Sequence, residues 1–330
     1  MNWKRKKVLV TGGGGFIGSH LLEELISSGA KVRAFVKYNS RGDLGNIELL
    51  GKAIIKRIEI KFGDLRDTSS VYNAVKGCDA VFHLGALIAI PYSYVNPFDY
   101  VQTNVSGTAN ILNACREYNV EKLVHTSTSE VYGTAKYVPI DEKHQLCGQS
   151  PYSASKIGAD KMAESYFRSF KLPVVTIRPF NTYGPRQSAR AIIPTIISQA
   201  ISSNGIINLG SLSTSRDFNY VEDTVRAFML IAQAPGCIGG VINIGCGREI
   251  TVGQLIEKIG DILGKKLKIN RDPIRVRPEN SEVLRLVADN RKAEKLLGWK
   301  PEISIEDGLR RTIEWIKEHC RHYKTEVYNI

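Results

Sequence analysis

A tyrosine and a lysine four residues apart are the first candidates for chemistry in this sequence. Tyr152 and Lys156 stand in the string Tyr-Ser-Ala-Ser-Lys, and this spacing places both side chains on one face of a helix. A free phenol ionises far above neutral pH, but a neighbouring ammonium group stabilises the phenolate and so lowers its pKa. The pair therefore predicts a tyrosine that exchanges a proton with a substrate hydroxyl.

Hydroxyl and carboxyl groups follow the preceding predicted strand, residues 122–126. Thr128 and Ser129 lead directly into Glu130, and the carboxyl ends of parallel strands are where α/β folds bind their ligands. We expect the hydroxyls to hydrogen-bond a substrate hydroxyl and Glu130 to move a proton. The catalytic residues predicted from these two segments are Tyr152, Lys156, Thr128, Ser129 and Glu130.

Three glycines join the first predicted strand, residues 8–10, to the first predicted helix, residues 16–29. Their spacing is Gly-x-x-Gly-x-x-Gly, which lets the backbone turn tightly and approach a pyrophosphate, while the helix N-terminus offers N–H groups to that anion. Placed between a strand and an amphipathic helix, the motif predicts NAD or NADP. The residues expected to bind the cofactor here are Gly12, Gly15, Phe16, Ile17 and Gly18.

The end of the second predicted strand bears on the choice between the two cofactors. An acidic residue there would grip the ribose 2′-hydroxyl of NAD, but Val36 occupies the position and two cations, Lys37 and Arg41, follow it. With no carboxylate to repel a 2′-phosphate, the sequence leans slightly to NADP with these cations as anchors. The alternative is that both are solvated surface charges.

The elements that must position these groups alternate regularly along the chain. Apolar, β-branched runs suited to buried parallel strands are separated by segments with helical apolar spacing. The predicted strands are residues 8–10, 32–36, 58–62, 80–84, 122–126, 174–178 and 241–244, and the first predicted helices are 16–29, 69–76, 99–118 and 153–170. This order predicts an α/β fold with a doubly wound, Rossmann-like parallel sheet.

After residue 178 the chain becomes rich in Pro, Gly and Ser, which predicts a smaller, discontinuous second lobe. Its helices are expected near 193–201, 252–263, 291–297 and 305–320. We expect residues 1–178 plus about 221–250 to form the dinucleotide-binding domain, and about 179–220 plus 251–330 to form the substrate lobe.

Composition excludes several classes of protein. The 330 residues, 43% of them hydrophobic, suffice for a large core, and the net charge of +12 comes from dispersed cations without a nucleic-acid motif, so no nucleic-acid partner is expected. No apolar run reaches the roughly 18–20 residues of a membrane span, and no signal peptide is recognisable, so a cytoplasmic location without membrane contact is expected. The six cysteines lack metal-ligand spacing, so we expect reduced core thiols and no metal site.

Together these motifs resemble those of the extended short-chain dehydrogenase/reductase family of nucleotide-sugar epimerases and dehydratases, over essentially the whole chain. Further strings with the family pattern are residues 63–67, 83–86, 103–108, 178–186 and 216–221. The resemblance implies an NAD(P)-dependent enzyme that acts on a nucleotide-linked sugar. It also implies a homodimer paired through the helices near 99–118 and 153–170, although the outward faces of these helices could equally be solvated surface.

The resemblance implies roles for single residues as well. The cofactor is expected to meet Asp64 and Leu65 at the adenine, and Leu84, Ala86, Asn104 and Thr126 elsewhere. Asn181, Arg216 and Arg277 are expected to hold the diphosphate; guanidinium forks suit phosphate oxygens, and ordinary ion pairs are the alternative. The remaining substrate-binding residues implied are Ile88, Tyr92, Ser127, Tyr220 and Ile193, the last of these near the base.

The Thr128-Ser129-Glu130 triplet favours a 4,6-dehydratase within this family. A 4-epimerase oxidises C4, rotates the ketosugar and reduces it again, whereas a dehydratase must also remove the C5 proton and expel water from C6, which needs a general base such as Glu130. In the expected cycle Tyr152 takes the 4-hydroxyl proton as hydride leaves C4 for the nicotinamide, and Thr128 orients the oxygen. Glu130 then takes the C5 proton, water leaves C6, and hydride returns to C6.

Ser129 departs from the pattern of the glucose-type dehydratases, which carry an aspartic acid there to protonate the leaving hydroxyl. The Thr-Ser-Glu version resembles GDP-mannose dehydratases and the N-acetylglucosamine 4,6-dehydratases of legionaminic-type sugar pathways, so UDP- or GDP-N-acetylglucosamine is the expected substrate. A 4-epimerase, a C5 epimerase and a nucleotide-glucuronate decarboxylase stay open. So does a non-catalytic NADP-binding sensor, although such proteins usually lose the Tyr-Lys pair.

Overall fold

The computed structural model describes residues 2–203, 205–212 and 214–323. The strands are, in chain order, β1 Lys7–Thr11, β2 Lys31–Lys37, β3 Ile58–Gly63, β4 Ala80–His83, β5 Lys122–Thr126, β6 Val174–Pro179, β7 Thr182–Tyr183, β8 Ile206–Leu209, β9 Ser215–Arg216, β10 Asn219–Tyr220, β11 Val241–Ile244, β12 Ile250–Thr251, β13 Lys268–Arg271 and β14 Arg285–Leu286.

Seven of these strands form one parallel sheet in the order β11-β6-β5-β4-β1-β2-β3. The central strands are buried on both faces because they are almost continuously apolar, as in Val8-Leu9-Val10 and Ala80-Val81-Phe82. The predicted doubly wound α/β fold is confirmed, and every predicted strand lies within a residue or two of an observed one.

Helices cover the sheet and continue beyond it. They are, in chain order, α1 Phe16–Ser27, α2 Lys52–Ile55, α3 Thr68–Val75, α4 Ile90–Val95, α5 Pro97–Tyr100, α6 Gly107–Glu117, α7 Pro151–Phe170, α8 Ile192–Ser202, α9 Val221–Gln233, α10 Val252–Leu263, α11 Arg291–Leu297 and α12 Ile305–Glu318. The predicted helix 99–118 is not uniform, because a π-helical segment, Val101–Ser106, joins α5 to α6.

Helix α9 was not predicted, although its sequence carries the signal. Val221, Val225 and Phe228 recur at helical spacing and are buried, and α9 packs against α1 beneath the sheet. The apolar core that includes α9 continues into the region of α8, α10 and α12. The division of the chain into a dinucleotide-binding domain and a substrate lobe stays a prediction.

The cysteines only partly match the expectation of core thiols. All six are free; Cys78, Cys115 and Cys237 are buried and Cys246 is partly buried, but Cys147 and Cys320 are exposed. Placing these last two in the core was wrong, because Cys147 lies in the irregular segment before α7 and Cys320 begins a short 3₁₀ turn after α12. No helix in the described part of the chain combines the length and apolar character that crossing a membrane requires.

Candidate active site at the carboxyl edge of the sheet

Four adjacent parallel strands, β1, β4, β5 and β6, bring the predicted site residues to one edge of the sheet. The glycine-rich loop follows β1, residues 84–89 follow β4, and the hydroxyl-rich segment 127–130 follows β5. Asn181 follows β6. Open α/β sheets bind ligands in the crevice beside such strand ends.

The glycine-rich loop is a close-packed cradle at the start of α1. Gly12 has φ of +68°, and a Cβ there would lie 2.9 Å from the backbone nitrogen of Gly85. A Cβ on Gly18 would lie 2.2 Å from the carbonyl oxygen of Gly12. Gly15 is the N-cap of α1 and provides no side-chain cap, so the first N–H groups of the helix remain available to a phosphate.

Buried hydrogen bonds tie this loop to the loop after β4. The backbone N–H of Gly85 donates to Thr11 Oγ1 (3.0 Å), and the Thr11 hydroxyl lies 2.8 Å from His83 Nδ1. On the other side of the ring, His83 Nε2 lies 3.0 Å from Thr108 Oγ1, whose own hydrogen goes to the carbonyl oxygen of Asn104 (2.6 Å). This series of hydrogen bonds requires the imidazole of His83 to be neutral and protonated on Nε2. Burial favours the neutral form, because it lowers the pKa of His83 well below its usual range.

Asn104 holds the same loop from the π-helical segment. Its Oδ1 accepts from the N–H of Leu87 (2.8 Å), and its Nδ2 donates to the Leu87 carbonyl (2.9 Å) and to Ser155 Oγ (2.9 Å). Both N–H groups of the amide are therefore used within the protein. These hydrogen bonds fix the loop 84–89 against α7.

Tyr152 lies in the first turn of α7. The helix is capped by Ser150, whose hydroxyl accepts from the N–H of Ser153 (3.1 Å), which fixes the direction of that turn. The Tyr152 ring is 7% exposed and lies edge-on to Tyr100, with centroids 6.2 Å apart. Burial raises the pKa of Tyr152, a hydrogen bond with the Thr128 hydroxyl lowers it, and the negative charge of Glu130 raises it.

Lys156 follows one turn later on α7, and its Nζ donates to the carbonyl oxygen of Thr126 (2.7 Å). The side chain is 4% exposed. Burial lowers the pKa of Lys156 to about 8, although the negative charge of Asp160 raises it. The helix thus presents a phenol and an ammonium group to the end of β5, as the spacing predicted.

Glu130 lies in a 3₁₀ turn, Ser129–Tyr132, immediately after Thr128. Its backbone N–H donates to Thr128 Oγ1 (3.2 Å), and its side chain is 9% exposed. The carboxylate raises the pKa of Tyr152, and it also raises that of Arg216, which burial lowers. Glu130 is therefore close to both the phenol and a guanidinium group, while the neighbouring Ser129 is 1% exposed.

The hydroxyl of Ser127, a predicted substrate residue, is hydrogen-bonded within the protein. It donates to Asp160 Oδ2 (2.7 Å), a buried carboxylate on α7 that the sequence motifs did not predict. The available signal was spacing, because Asp160 follows Lys156 by four residues and so shares its helix face.

Arg216 and Arg277 converge on one carboxylate, that of Glu282, with a nitrogen of each 3.4 Å from Oε1. These contacts are long, so the guanidinium groups keep donor capacity for another anion. The buried Nδ2 of Asn181 has no hydrogen-bond partner among the described residues. An unpartnered amide and two guanidinium groups are a donor set that suits a diphosphate. Glu282 itself had no sequence signal.

Aromatic side chains border the Tyr152 end of the cleft. Tyr92 on α4 is half-buried, with its ring centroid 6.2 Å from that of Tyr100, and Ile88 is 56% exposed in the loop before α4. The Tyr94 hydroxyl lies 2.6 Å from Ser281 Oγ, which links α4 to the segment that carries Glu282.

Two expected substrate residues have side chains in the core. Ile193 is 1% exposed within the main apolar cluster. Tyr220 is 2% exposed and packs against Tyr183, with ring centroids 5.5 Å apart, while Arg311 covers its ring. Both side chains pack in the core, so any contact with the nucleobase of a substrate would have to come from neighbouring residues.

Four of the residues predicted to bind the cofactor lie at or just after the ends of β2 and β3. Asp64 forms an ion pair with Arg66 (2.7 Å), and Leu65 is buried against Gly85, where an added Cβ would lie 2.9 Å from Leu65 Cδ1. Lys37 and Arg41 are exposed, and neither forms an ion pair with a described residue.

The donor groups at this edge fit a dinucleotide. Gly12 and Gly18 form a backbone cradle that side chains would fill, the start of α1 is uncapped, and the buried Oγ1 of Thr126 has no partner among the described residues. Phe16 and Ile17, in the first turn of α1, and Leu84 and Ala86, in the loop after β4, are all partly exposed beside this cradle.

A parallel sheet with a glycine cradle at one strand end and a Tyr-Lys pair at another defines an NAD(P)-dependent enzyme of the extended short-chain dehydrogenase/reductase type. The family model of GDP-mannose 4,6 dehydratase matches residues 9–312. The chain therefore belongs to this family of nucleotide-sugar dehydratases and epimerases, which confirms the resemblance at the family level.

Relatives of two kinds, 4,6-dehydratases and 4-epimerases, match nearly the whole chain. Human dTDP-D-glucose 4,6-dehydratase is 31% identical over 329 residues, which are 97% of this chain and 92% of the relative. The structure of DesIV, a dTDP-glucose 4,6-dehydratase from Streptomyces venezuelae with NAD and TYD bound, superposes with a TM-score of 0.85 at 30% identity, over 96% of this chain and 99% of that one. UDP-N-acetylglucosamine 4-epimerase from Methanobrevibacter ruminantium M1, in complex with UDP-N-acetylmuramic acid, gives 0.86 at 32% identity, over 96% and 99%.

Proposed function

We propose that the protein is a nucleotide-sugar 4,6-dehydratase whose substrate is UDP- or GDP-N-acetylglucosamine. The observation that carries the proposal is the place of Glu130, a largely buried carboxylate close to both Tyr152 and Arg216. Dehydration needs a base at this point, because the C5 proton must be removed after C4 is oxidised. A 4-epimerase has no such step.

Tyr152, Thr128 and Lys156 would handle the 4-hydroxyl. Tyr152 accepts its proton, Thr128 holds the oxygen through its hydroxyl, and the Lys156 ammonium stabilises the phenolate form of Tyr152. Arg216 and Arg277 bind the diphosphate together with Asn181, so that the sugar is placed between Glu130 and Tyr152.

Glu130 would act after the ketone has formed at C4. The ketone acidifies the C5–H bond, and the carboxylate takes that proton as the C6 hydroxyl leaves. Ser129 is a weak acid and is 1% exposed. In this proposal, therefore, Glu130 itself delivers the proton to the departing hydroxyl, and the C5 hydrogen and the C6 hydroxyl leave together as water. When hydride returns to C6, C5 takes up one proton from solvent, which balances the proton that Tyr152 removed from the 4-hydroxyl and passed to solvent.

NAD or NADP would be held by Gly12, Gly15 and Gly18 at the pyrophosphate and by Lys156 and Thr126 near the nicotinamide end. When bound, the nicotinamide supplies the hydride acceptor for oxidation at C4 and the donor for reduction at C6. DesIV is a relative that binds NAD.

Lys37 and Arg41 would decide between the two cofactors. Both are exposed cations without an ion-pair partner among the described residues, and Val36 provides no carboxylate for a ribose 2′-hydroxyl. Calorimetry on cofactor-free protein is expected to show NADP binding at least as tightly as NAD. Lys37→Ala with Arg41→Ala should weaken NADP binding about tenfold and leave NAD binding unchanged. A clear preference of the wild type for NAD would refute this assignment.

A proton NMR time course in deuterated buffer tests the reaction itself, first with UDP-N-acetylglucosamine and then with GDP-N-acetylglucosamine. A new C6 methyl signal with deuterium at C5 supports the dehydratase and names its carrier. Conversion to the galacto isomer with C6 intact overturns the proposal in favour of a 4-epimerase. Absence of any product with both compounds rejects these substrates and directs the search to non-acetylated hexoses and uronates.

The second candidate is a nucleotide-sugar 4-epimerase, and Ser129 is the observation that favours it. A buried hydroxyl stands where glucose-type dehydratases carry an acid, and an epimerase has no leaving hydroxyl to protonate. Glu130 would then orient the substrate without taking a proton from carbon.

A further inference from the structure

A buried carboxylate lies one turn beyond Lys156 and has no part in the proposed reaction. Asp160 is 5% exposed and shares a face of α7 with Tyr152 and Lys156, at positions i, i+4 and i+8. It accepts hydrogen bonds from His125 Nε2 (3.1 Å), from Ser127 Oγ (2.7 Å), and from Arg178 Nη2 (2.9 Å) and Nε (3.2 Å).

The two β5-side partners of Asp160 flank the residue that binds Lys156. His125 and Ser127 stand on either side of Thr126, whose carbonyl oxygen accepts from Lys156 Nζ (2.7 Å). Side chains at positions i and i+2 of a strand point to the same face, so one carboxylate can hold both. Two residues further on, Thr128 carries the hydroxyl that hydrogen-bonds Tyr152.

We propose that Asp160 is a positioning residue for this site. It fixes the carboxyl end of β5 against α7, and its charge keeps the Lys156 ammonium group protonated beside Tyr152. Asp160 forms no hydrogen bond with Tyr152 among the described contacts, although its negative charge raises the pKa of that phenol. The inference rests on the proposed use of Tyr152 and Lys156, and it applies equally to a dehydratase and a 4-epimerase, because both begin by oxidising C4.

The charges around Asp160 support this role. Burial alone would raise its pKa, but the hydrogen bond from His125 and the positive charges of Arg178 and Lys156 lower the pKa to about 2. Asp160 therefore stays ionised over the whole working range of pH. In return it raises the pKa of Lys156, which burial lowers to about 8.

Other titratable groups lie around Asp160 and Lys156, on α7 itself and on each element that packs against it. They are His83 on β4, His125 on β5, Glu130 and Tyr132 on the turn after β5, Arg178 on β6, Tyr152, Lys161 and Glu164 on α7, and Glu142 and His144 across a cavity of about 290 Å³ behind the helix. Burial lowers the pKa of both His83 and His125, so both stay neutral above pH 7.

The test is thermal unfolding of wild-type and Asp160→Asn protein between pH 7 and about 9.5, without cofactor or substrate. The attraction between Asp160 and Lys156 exists only while Lys156 is protonated. The Tm difference between the two proteins is therefore expected to be largest at pH 7 and to shrink by about 2 °C as the pH rises through 8. In a Lys156→Met background, this pH-dependent part should vanish.

Asp223→Asn is the matched control. Asp223 is a buried carboxylate in α9 that accepts from the backbone N–H groups of Glu302 and Ile303 (both 3.0 Å to Oδ2). Its substitution should lower Tm by an amount that does not change over the same pH range. A Tm difference for Asp160→Asn that is constant from pH 7 to 9.5, or that shrinks equally in the Lys156→Met background, would overturn the proposal.

Kinetics test the positional half of the role. Ser127→Ala removes one hydrogen bond to Asp160 without changing any charge, so kcat should fall about tenfold while KM and the alkaline limb of the pH profile stay in place. Asp160→Asn should move that limb about one pH unit lower. If Asp160→Asn does not fold, Ser127→Ala decides the question, and a wild-type kcat in that variant overturns the proposal. If the wild type converts no nucleotide sugar, the proposed function fails, while the unfolding experiment still tests Asp160 by itself.

Discussion

At the scale of single residues, the end of β5 and the turn after it provide the contacts on which the proposed reaction depends. Thr126 provides a carbonyl to Lys156, Thr128 provides a hydroxyl to Tyr152, and the carboxylate of Glu130 raises the pKa of both Tyr152 and Arg216. The first two contacts suit any member of the family that oxidises C4. In the proposed reaction, Glu130 is the base that dehydration needs and epimerisation does not.

Glu130→Gln tests that dependence. The amide keeps the size of the side chain but cannot take the C5 proton, so kcat for dehydration should fall at least about 100-fold, while calorimetric affinities for the cofactor and for the nucleotide diphosphate stay within about twofold. The methyl signal in the proton NMR spectrum provides the rate. Glu142→Gln, which changes a half-buried carboxylate in the cavity behind α7, should retain wild-type activity. Full activity of Glu130→Gln would show that the residue is not the base.

At the scale of elements, the site depends on close approaches between backbones. Gly12 touches the loop after β4, and Gly18 brings α1 against Gly12. The π-helical segment between α5 and α6 places Asn104 where its amide can hold Leu87 and Ser155. The path of the backbone therefore shapes the cleft, and short sequence motifs do not specify that path directly.

Gly18→Ala tests the close approach at the start of α1. The new Cβ would lie 2.2 Å from the carbonyl oxygen of Gly12, so the glycine-rich loop must shift, and affinity for NAD(P) should fall at least about tenfold by calorimetry, with a Tm several degrees lower.

Gly253→Ala is the control for that substitution. Gly253 lies in α10, where the nearest atom to an added Cβ is 3.8 Å away, so the substitution should leave cofactor affinity unchanged and raise stability by about 0.5–1 kcal/mol. Wild-type cofactor affinity in Gly18→Ala would show that the loop does not bind the pyrophosphate.

At the scale of the whole molecule, we propose a homodimer paired through α7 and the helix formed by α5, the π-helical segment and α6. Phe98 and Val101, three residues apart on this surface, have 66% and 47% of their area exposed, and a second subunit would cover them. The wild type is expected to sediment as a dimer at micromolar concentration.

Val101→Glu should shift the protein toward monomers in analytical ultracentrifugation, because a carboxylate would have to be buried without a partner in the interface. Ile274→Glu, at an apolar residue that is 76% exposed beyond β13, should leave the dimer intact. A wild-type monomer would refute the pairing, and a dimer that tolerates Val101→Glu would place the interface elsewhere.

The sequence by itself determined the strands of the sheet, most of the longer helices and the family. An apolar strand, Val8-Leu9-Val10, followed by three spaced glycines predicts a dinucleotide-binding βα unit. Tyr152 and Lys156 stand about as far along the chain as the fourth or fifth βα unit of such a fold. These features are local, because strand and helix periodicity, glycine conformation and side-chain spacing on one helix are all set within a few residues.

Only the tertiary structure decided which side chains are free to act. It committed Ser127 and Asn104 to other protein groups and placed Ile193 and Tyr220 in the core. It brought Arg216 to Glu282, 66 residues further along the chain, where Arg277 binds the same carboxylate. It also revealed Asp160 as the common partner of His125, Ser127 and Arg178. The physical reason is that hydrogen-bond commitment and burial depend on contacts between segments distant in the sequence, and the type of a residue does not specify the partner that will take its donors and acceptors.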